Sequence, residues 1–165
     1  MVNKRIWIFV LILTVVSFWV MNIYPTQANE NNVNYTLTNL NNRDFSYKDL
    51  HGASFAGATM WNANFQGANL QDTILTKADF LRANLKEANF TGAFADRVSF
   101  DKTDLTNAIF TDAMLMSSTF RNAKMTGADF SQAMVDRYQI KLMCEKASGK
   151  NPITGVDTRQ SLGCS

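Results

Sequence analysis

A large apolar residue stands at every fifth position of this chain from Leu40 to Val135. The beat runs Leu40, Phe45, Leu50, Phe55, Met60, Phe65, Leu70, Leu75, Phe80, Leu85, Phe90 and onward without an insertion, and only Ala95 falls short in size. Neither common period gathers such residues. On a helix a step of five turns by about 140° and smears them around the circumference, and on a strand successive ones point to opposite faces. A chain with this beat must bend at every unit to bring its large side chains to one axis. Two places before each large residue, from Ala53 to Ala133, the side chain is small, mostly Ala but also Thr73, Val98, Thr103 and Ser118. The residue directly before the large one is often Asn or Asp, as at Asn64, Asn69, Asp79, Asn84, Asn89, Asp104 and Asp129, residue types that close turns through their side chains.

This pattern resembles the pentapeptide-repeat family, whose unit is Ala, then Asn or Asp, then Leu or Phe, then two variable residues. The resemblance covers residues 45–135. It implies an all-β fold, a right-handed quadrilateral β-helix of about five coils, in which each unit makes one side of a square and twenty residues complete a turn. Coils stacked at the strand spacing of about 4.8 Å would make a rod about 24 Å long. Residues twenty apart then fall into columns: Met60, Phe80, Phe100 and Phe120 in one, Phe45, Phe65, Leu85, Leu105 and Met125 in the next. A third holds Leu50, Leu70, Phe90, Phe110 and Phe130, and a fourth Phe55, Leu75, Ala95, Leu115 and Val135. Glycines 52, 57, 67, 92 and 127 all come two places after a large residue, which marks them as corner glycines rather than a phosphate-binding loop.

The beat frays at both ends. Arg43 and Lys48 occupy the small inward position, and a buried unpaired cation is costly, so residues 29–44 are expected to be a lead-in or cap and the regular coil to begin near Phe45 to Ala53. After Val135 the text VDRYQIKLMCEKA loses the five-beat and reads as a short helix closing at Ser148-Gly149, the start of a C-terminal segment over 136–165. Such a helix would cover the exposed end of a stacked-strand rod.

The first 28 residues follow another plan. Lys4 and Arg5 precede an apolar run from Ile6 to Met21, and Thr26-Gln27-Ala28 offers small residues at the spacing an export peptidase tolerates. That is the layout of a secretory signal, with an uncleaved N-terminal anchor as the alternative and the only membrane contact expected. Lys4-Arg5 is not a twin arginine, which favours the general secretory route. Of 16 basic and 14 acidic side chains, this segment takes Lys4 and Arg5 and no acid, leaving 14 against 14 in the exported part. The near-neutral remainder offers no argument for a nucleic-acid partner.

Cys144 and Cys164 are the two cysteines, and in an exported chain a disulfide is their leading reading, against free thiols or a redox-switched pair. The tail CEKASGKNPITGVDTRQSLGC is similar to the C-terminal extension of pentapeptide-repeat proteins from the thylakoid lumen of cyanobacteria and chloroplasts. The match lies in the spaced cysteines, Gly149, Asn151-Pro152, Thr154-Gly155, Thr158-Arg159 and Ser161 to Cys164. The resemblance implies a disulfide between the two cysteines and an address in the thylakoid lumen or periplasm.

Little here suggests catalysis. One histidine, His51, follows the inward Leu50 and is expected on the surface, so neither a Cys/His dyad nor a thiolate–imidazole metal cluster can be assembled. Outward carboxylates such as Asp72, Glu87, Asp112 and Asp129 read as a solvated face, and no cofactor is expected. One surface column does stand out: Ile74, Phe94, Met114 and Met134, with Lys77, Arg97 and Arg137 beside it, where other columns offer Asn, Asp, Ser or Thr. It reads either as a partner-binding face or, the favoured alternative, as Phe94 turned inward to replace the undersized Ala95 with the rest packed on terminal segments. The function expected is a noncatalytic scaffold serving an unknown protein partner such as a membrane complex. Two alternatives accompany it. One is a redox-responsive protein whose Cys144 and Cys164 cycle with an exported thioredoxin-like reductant. The other is a DNA mimic protecting gyrase, disfavoured by the balanced charge and the export signal.

Overall fold

A computed structural model describes residues 33–165, so the expected signal or anchor over residues 1–28 lies outside the described residues. Every fifth residue from Asn34 to Met114 forms a parallel bridge with the residue twenty further on, as in Asp79 with Ser99 and Asn84 with Asp104. Each bridge is framed by backbone hydrogen bonds in both directions, such as Phe80 N to Ser99 O at 2.9 Å and Ser99 N to Ala78 O at 3.1 Å. Between bridges the chain turns: the Ala83 amide donates to Phe80 O at 2.8 Å, and Arg82 just before it has φ of 59°. A positive φ at the third residue of a turn is what type II geometry requires.

The corner glycines adopt this conformation, Gly127 at φ 72° for instance, but fifteen non-glycine residues at the same place in the five-residue unit adopt it too, including Lys77, Arg82 and Asp112. The left-handed corner is thus held by the ladders on either side of it rather than by residue choice, since an L-residue there carries a steric cost. The Asn or Asp before each large residue helps close it. Asp79 Oδ1 accepts from Leu81 N at 3.0 Å, and stacked amides link coils, Asn84 Nδ2 to Asn64 Oδ1 at 2.9 Å.

The expected columns form the core. Phe80, Phe100 and Phe120 stack at centroid distances of 5.5 and 5.1 Å, and Phe90, Phe110 and Phe130 at 4.6 and 5.1 Å. The two stacks meet edge-on, Phe100 to Phe110 at 5.6 Å and 84°, so rings alternate parallel and perpendicular contacts, both favoured by the aromatic quadrupole. At the small positions Thr73 and Thr103 are fully enclosed, and their hydroxyls donate to Leu70 O and Phe100 O, which leaves neither of the two unsatisfied.

The N-terminal boundary differs from expectation. Residues 33–44 are part of the coil: Asn34, Asn39 and Asp44 pair with Ser54, Thr59 and Asn64, and Tyr35 continues the beat by stacking on Phe55 at 4.9 Å. Arg43 and Lys48 are exposed in this first turn, so the coil can include them without burying a cation.

At the other end, helix α1 spans Arg137–Cys144, stopping short of the expected Ser148-Gly149, and the Lys146 and Ala147 amides that follow both donate to Met143 O. A second, unanticipated helix α2 covers Thr158–Ser161, its first turn capped by Asp157. Between them the buried Asn151 donates from Nδ2 to Gly127 O at 2.8 Å and Asn107 O at 3.1 Å, latching the tail to the last two coils. Cys144 and Cys164 form a disulfide with Cα atoms 5.7 Å apart. Arg159 donates to Cys144 O at 2.6 Å beside it.

Candidate protein-docking face

The ladder fixes where the apolar column lies. Ile74 bridges Phe94, Phe94 bridges Met114, and Met114 bridges Met134, so the four side chains follow one another along a single column. Bridging residues point away from the core because their neighbours on both sides point into it. Ile74, Phe94 and Met134 are 47%, 43% and 51% exposed, while Ala95 is fully enclosed. The expectation that Phe94 turns inward is therefore corrected: Ala95 keeps the core position.

The turn that begins at Ala95 is closed through Ser118. Elsewhere the turn closes by a direct bond such as Ala93 N to Phe90 O, but here Ser118 Oγ accepts from Val98 N at 2.9 Å and donates to Ala95 O at 2.6 Å. A serine hydroxyl from the next coil is inserted into the turn. Both buried backbone groups stay satisfied.

Met116, 40% exposed, widens the column on the turn after Met114. Sequence reading missed it because Thr76 and Asp96 hold the equivalent positions in earlier coils and hide the pattern. Of the flanking cations, Lys77 and Arg97 are exposed at corners, but Arg97 Nε is taken by Asp96 Oδ2 at 2.7 Å, and Arg137 is the first residue of α1. Carboxylates lie nearby as well: Asp72 meets His51 Nε2 at 3.2 Å, and Asp136 Oδ2 accepts from Ser117 N at 2.6 Å. The face is an apolar strip with charges of both signs at its margins, not a cationic one.

Two other clusters are electrostatic rather than chemical. Asp104 Oδ2 lies 3.6 Å from Lys86 Nζ and 3.5 Å from Lys124 Nζ. Asp101 is buried and receives Arg121 through its backbone amide at 2.9 Å and its guanidinium at 2.7 Å. Burial works to raise the Asp101 carboxyl, but hydrogen bonds from Arg121 and Thr119 and the Arg121 charge outweigh it and hold it below the ordinary value. A depressed carboxylate contributes stability that is complete above the unfolded value of about 3.9 and is lost as pH falls through the folded one. Asp101→Asn should therefore be less stable than the parent at neutral pH, with the gap closing below about pH 4; melting temperatures of both chains from pH 7 to 2 check this, and a gap independent of pH would show that the charge is not involved. Among the described residues no group of three His, Cys, Asp or Glu is placed to hold a metal.

The family model of pentapeptide repeats matches residues 36–72, 63–101 and 96–132. The chain belongs to the pentapeptide-repeat family. A pentapeptide repeat protein from the Arabidopsis thaliana thylakoid lumen, known by crystal structure, has the same fold at a TM-score of 0.78 and 33% identity, over 79% of this chain and 91% of that one. Thylakoid lumenal protein TL20.3 of Arabidopsis thaliana is 58% identical over 36 residues, 22% of this chain. That match spans only 13% of the relative's length. QnrB1, a plasmid-mediated fluoroquinolone resistance protein, shares the fold at a TM-score of 0.57 and 19% identity, over 68% of this chain and 69% of that one. This pentapeptide-repeat chain is thus a β-helix protein with a lumenal relative along most of its length.

Proposed function

We propose that this chain is a noncatalytic scaffold of the thylakoid lumen, a right-handed quadrilateral rod of about five coils that docks a protein partner through Ile74, Phe94, Met114 and Met134. The observation that carries the proposal is Phe94: a phenylalanine held outward while the core beside it makes do with alanine. Apolar area kept in water at that cost to packing is explained by a partner that covers it. The lumenal relative favours the lumen over the periplasm, and the assembly or upkeep of a membrane complex is the role a small exported rod with such a strip suits.

The test is capture from fractionated thylakoid membranes by the tagged protein and by Phe94→Ser/Met114→Ser. The exposed Phe94 should change the unfolding free energy by no more than about 0.5 kcal/mol and the half-buried Met114 by about 1 kcal/mol. Loss of a central apolar contact costs a partner about 2 kcal/mol, roughly thirtyfold in affinity. Unchanged melting with unchanged capture sinks the docking face, and a large fall in melting temperature would mean that the column supports the fold.

A redox-responsive role is the second reading. It is favoured by the half-buried position of both Cys144 and Cys164 at the end of the rod, within reach of an exported thioredoxin-like reductant. Gyrase protection by DNA mimicry finds support only in the shared fold of QnrB1 and is opposed by the balance of 14 acids and 14 bases after residue 28.

A further inference from the structure

The last coil ends in a strand edge that the rest of the described chain covers only in part. Inside the rod, the amides of Phe100, Lys102 and Leu105 donate to Thr119 O, Arg121 O and Lys124 O at 2.7 to 2.8 Å, and the carbonyls of Val98 and Thr103 accept from Thr119 N and Lys124 N at 3.0 Å. Twenty residues on, the equivalent groups are the amides of Phe120, Asn122 and Met125 and the carbonyls of Ser118 and Ala123. Among the described residues none of these five has a hydrogen-bond partner. Further along the same edge the tail supplies them, Ser148 O to the Gly127 amide and Ser161 Oγ to that of Phe130. The gap arises because the residues that would have made the next coil spend their backbone groups on helix α1, beginning with Ile140 N to Asp136 O.

A groove of about 290 Å³ lies over this edge, between the last coil and α1. Its floor is Phe120, Met125 and Met143, each no more than 5% exposed, and its rim carries Leu142, Glu145 and Lys146. Lys146 Nζ donates to Asn122 Oδ1 at 3.3 Å, from the rim to the last coil.

We propose that this edge receives a polypeptide segment of a partner protein that runs parallel to residues 118–125 and bends with them at the Asn122 corner, as each interior coil does, with a large apolar side chain set against Phe120 or Met125. Donors and acceptors alternating at strand spacing complement another backbone, which neither a lipid nor a small anion supplies. The apolar floor then selects which segment fits, in the way strand-addition sites take side chains into pockets beside the edge. The segment that fits carries the chain's own small–polar–large pattern, because that pattern is what each interior edge already accepts. This site is separate from the Phe94 column and stands or falls independently of it.

The probe is a synthetic peptide with the sequence of Ala78 to Phe90, ADFLRANLKEANF, added to the full chain, with amide hydrogen exchange read by NMR. Exchange at Phe120, Asn122 and Met125 should slow at least tenfold, by the order expected for newly paired edge amides, while Phe100, Lys102 and Leu105 stay as they were. The same peptide N-methylated at alternate residues should give no slowing. Leu142→Trp, which fills the groove, should abolish the effect at unchanged melting temperature. Equal slowing by a scrambled peptide, no slowing at all, or free-chain amides already as protected as Phe100 would each overturn the proposal, the last because the chain would then cover its own edge.

Discussion

Phe100→Ala is expected to cost about 3–5 kcal/mol of unfolding free energy, the range for buried aromatic truncations. The ring is fully enclosed, stacked on Phe80 and Phe120 at 5.5 and 5.1 Å and edge-on to Phe90 and Phe110 at 5.9 and 5.6 Å. Truncation therefore removes four aromatic contacts and the area burial together. What sets the size of the loss is that the site cannot collapse. Its own amide is tied to Thr119 O at 2.8 Å and the coil before it to Ser99 O at 2.9 Å, so coils keep their spacing and the cavity persists. Urea unfolding of the parent and the variant gives the difference directly. A loss below about 1 kcal/mol would mean that the neighbouring rings refill the space and that the ladder does not hold the coils rigidly apart.

Most of this architecture was legible because one constraint repeats. A five-residue beat leaves one way to gather Phe80, Leu85 and Phe90, and the columns read from it are the ones that stack. Legibility failed where the interaction is made once. Val33 and Tyr35 belong to the coil, but Arg43 and Lys48 obscure the beat between them and the clear repeats; a cation in the inward register is affordable only in the first turn, where it reaches water, and a sequence does not say which turn is first. Phe94 was the harder case. Volume favours turning the ring inward beside Ala95, whereas the ladder forces strict alternation across the bridge and so keeps the ring outward. The Asn151 latch rests on partners 24 and 44 residues away, which no local pattern announces. The open edge at Phe120 to Met125 shows itself only as hydrogen bonds not made.

Replacing both cysteines, Cys144→Ser with Cys164→Ser, should lower stability by about 3 kcal/mol through the regained freedom of the loop they close, about 20 residues long. The loss should be local in its first consequence. The tail is held by few anchors: buried Ala147, Asn151 and Leu162, the Ser161 contact to Phe130 and the disulfide itself. A rod of stacked repeats contacts only its neighbours, so release of the tail removes one end cap without touching interior coils. The amides of Gly127 and Phe130, which donate to Ser148 O and Ser161 Oγ, should then exchange as open-edge groups, while those of Phe80 and Phe100 retain their protection. The same pattern should follow reduction of the native disulfide, and its reversal on reoxidation would make the last coil a surface that redox conditions uncover. If interior amides lose protection in step with Gly127, the rod unfolds as one unit and the disulfide stabilises the whole of it; if Gly127 and Phe130 keep their protection, Asn151 and its neighbours hold the tail without the bond.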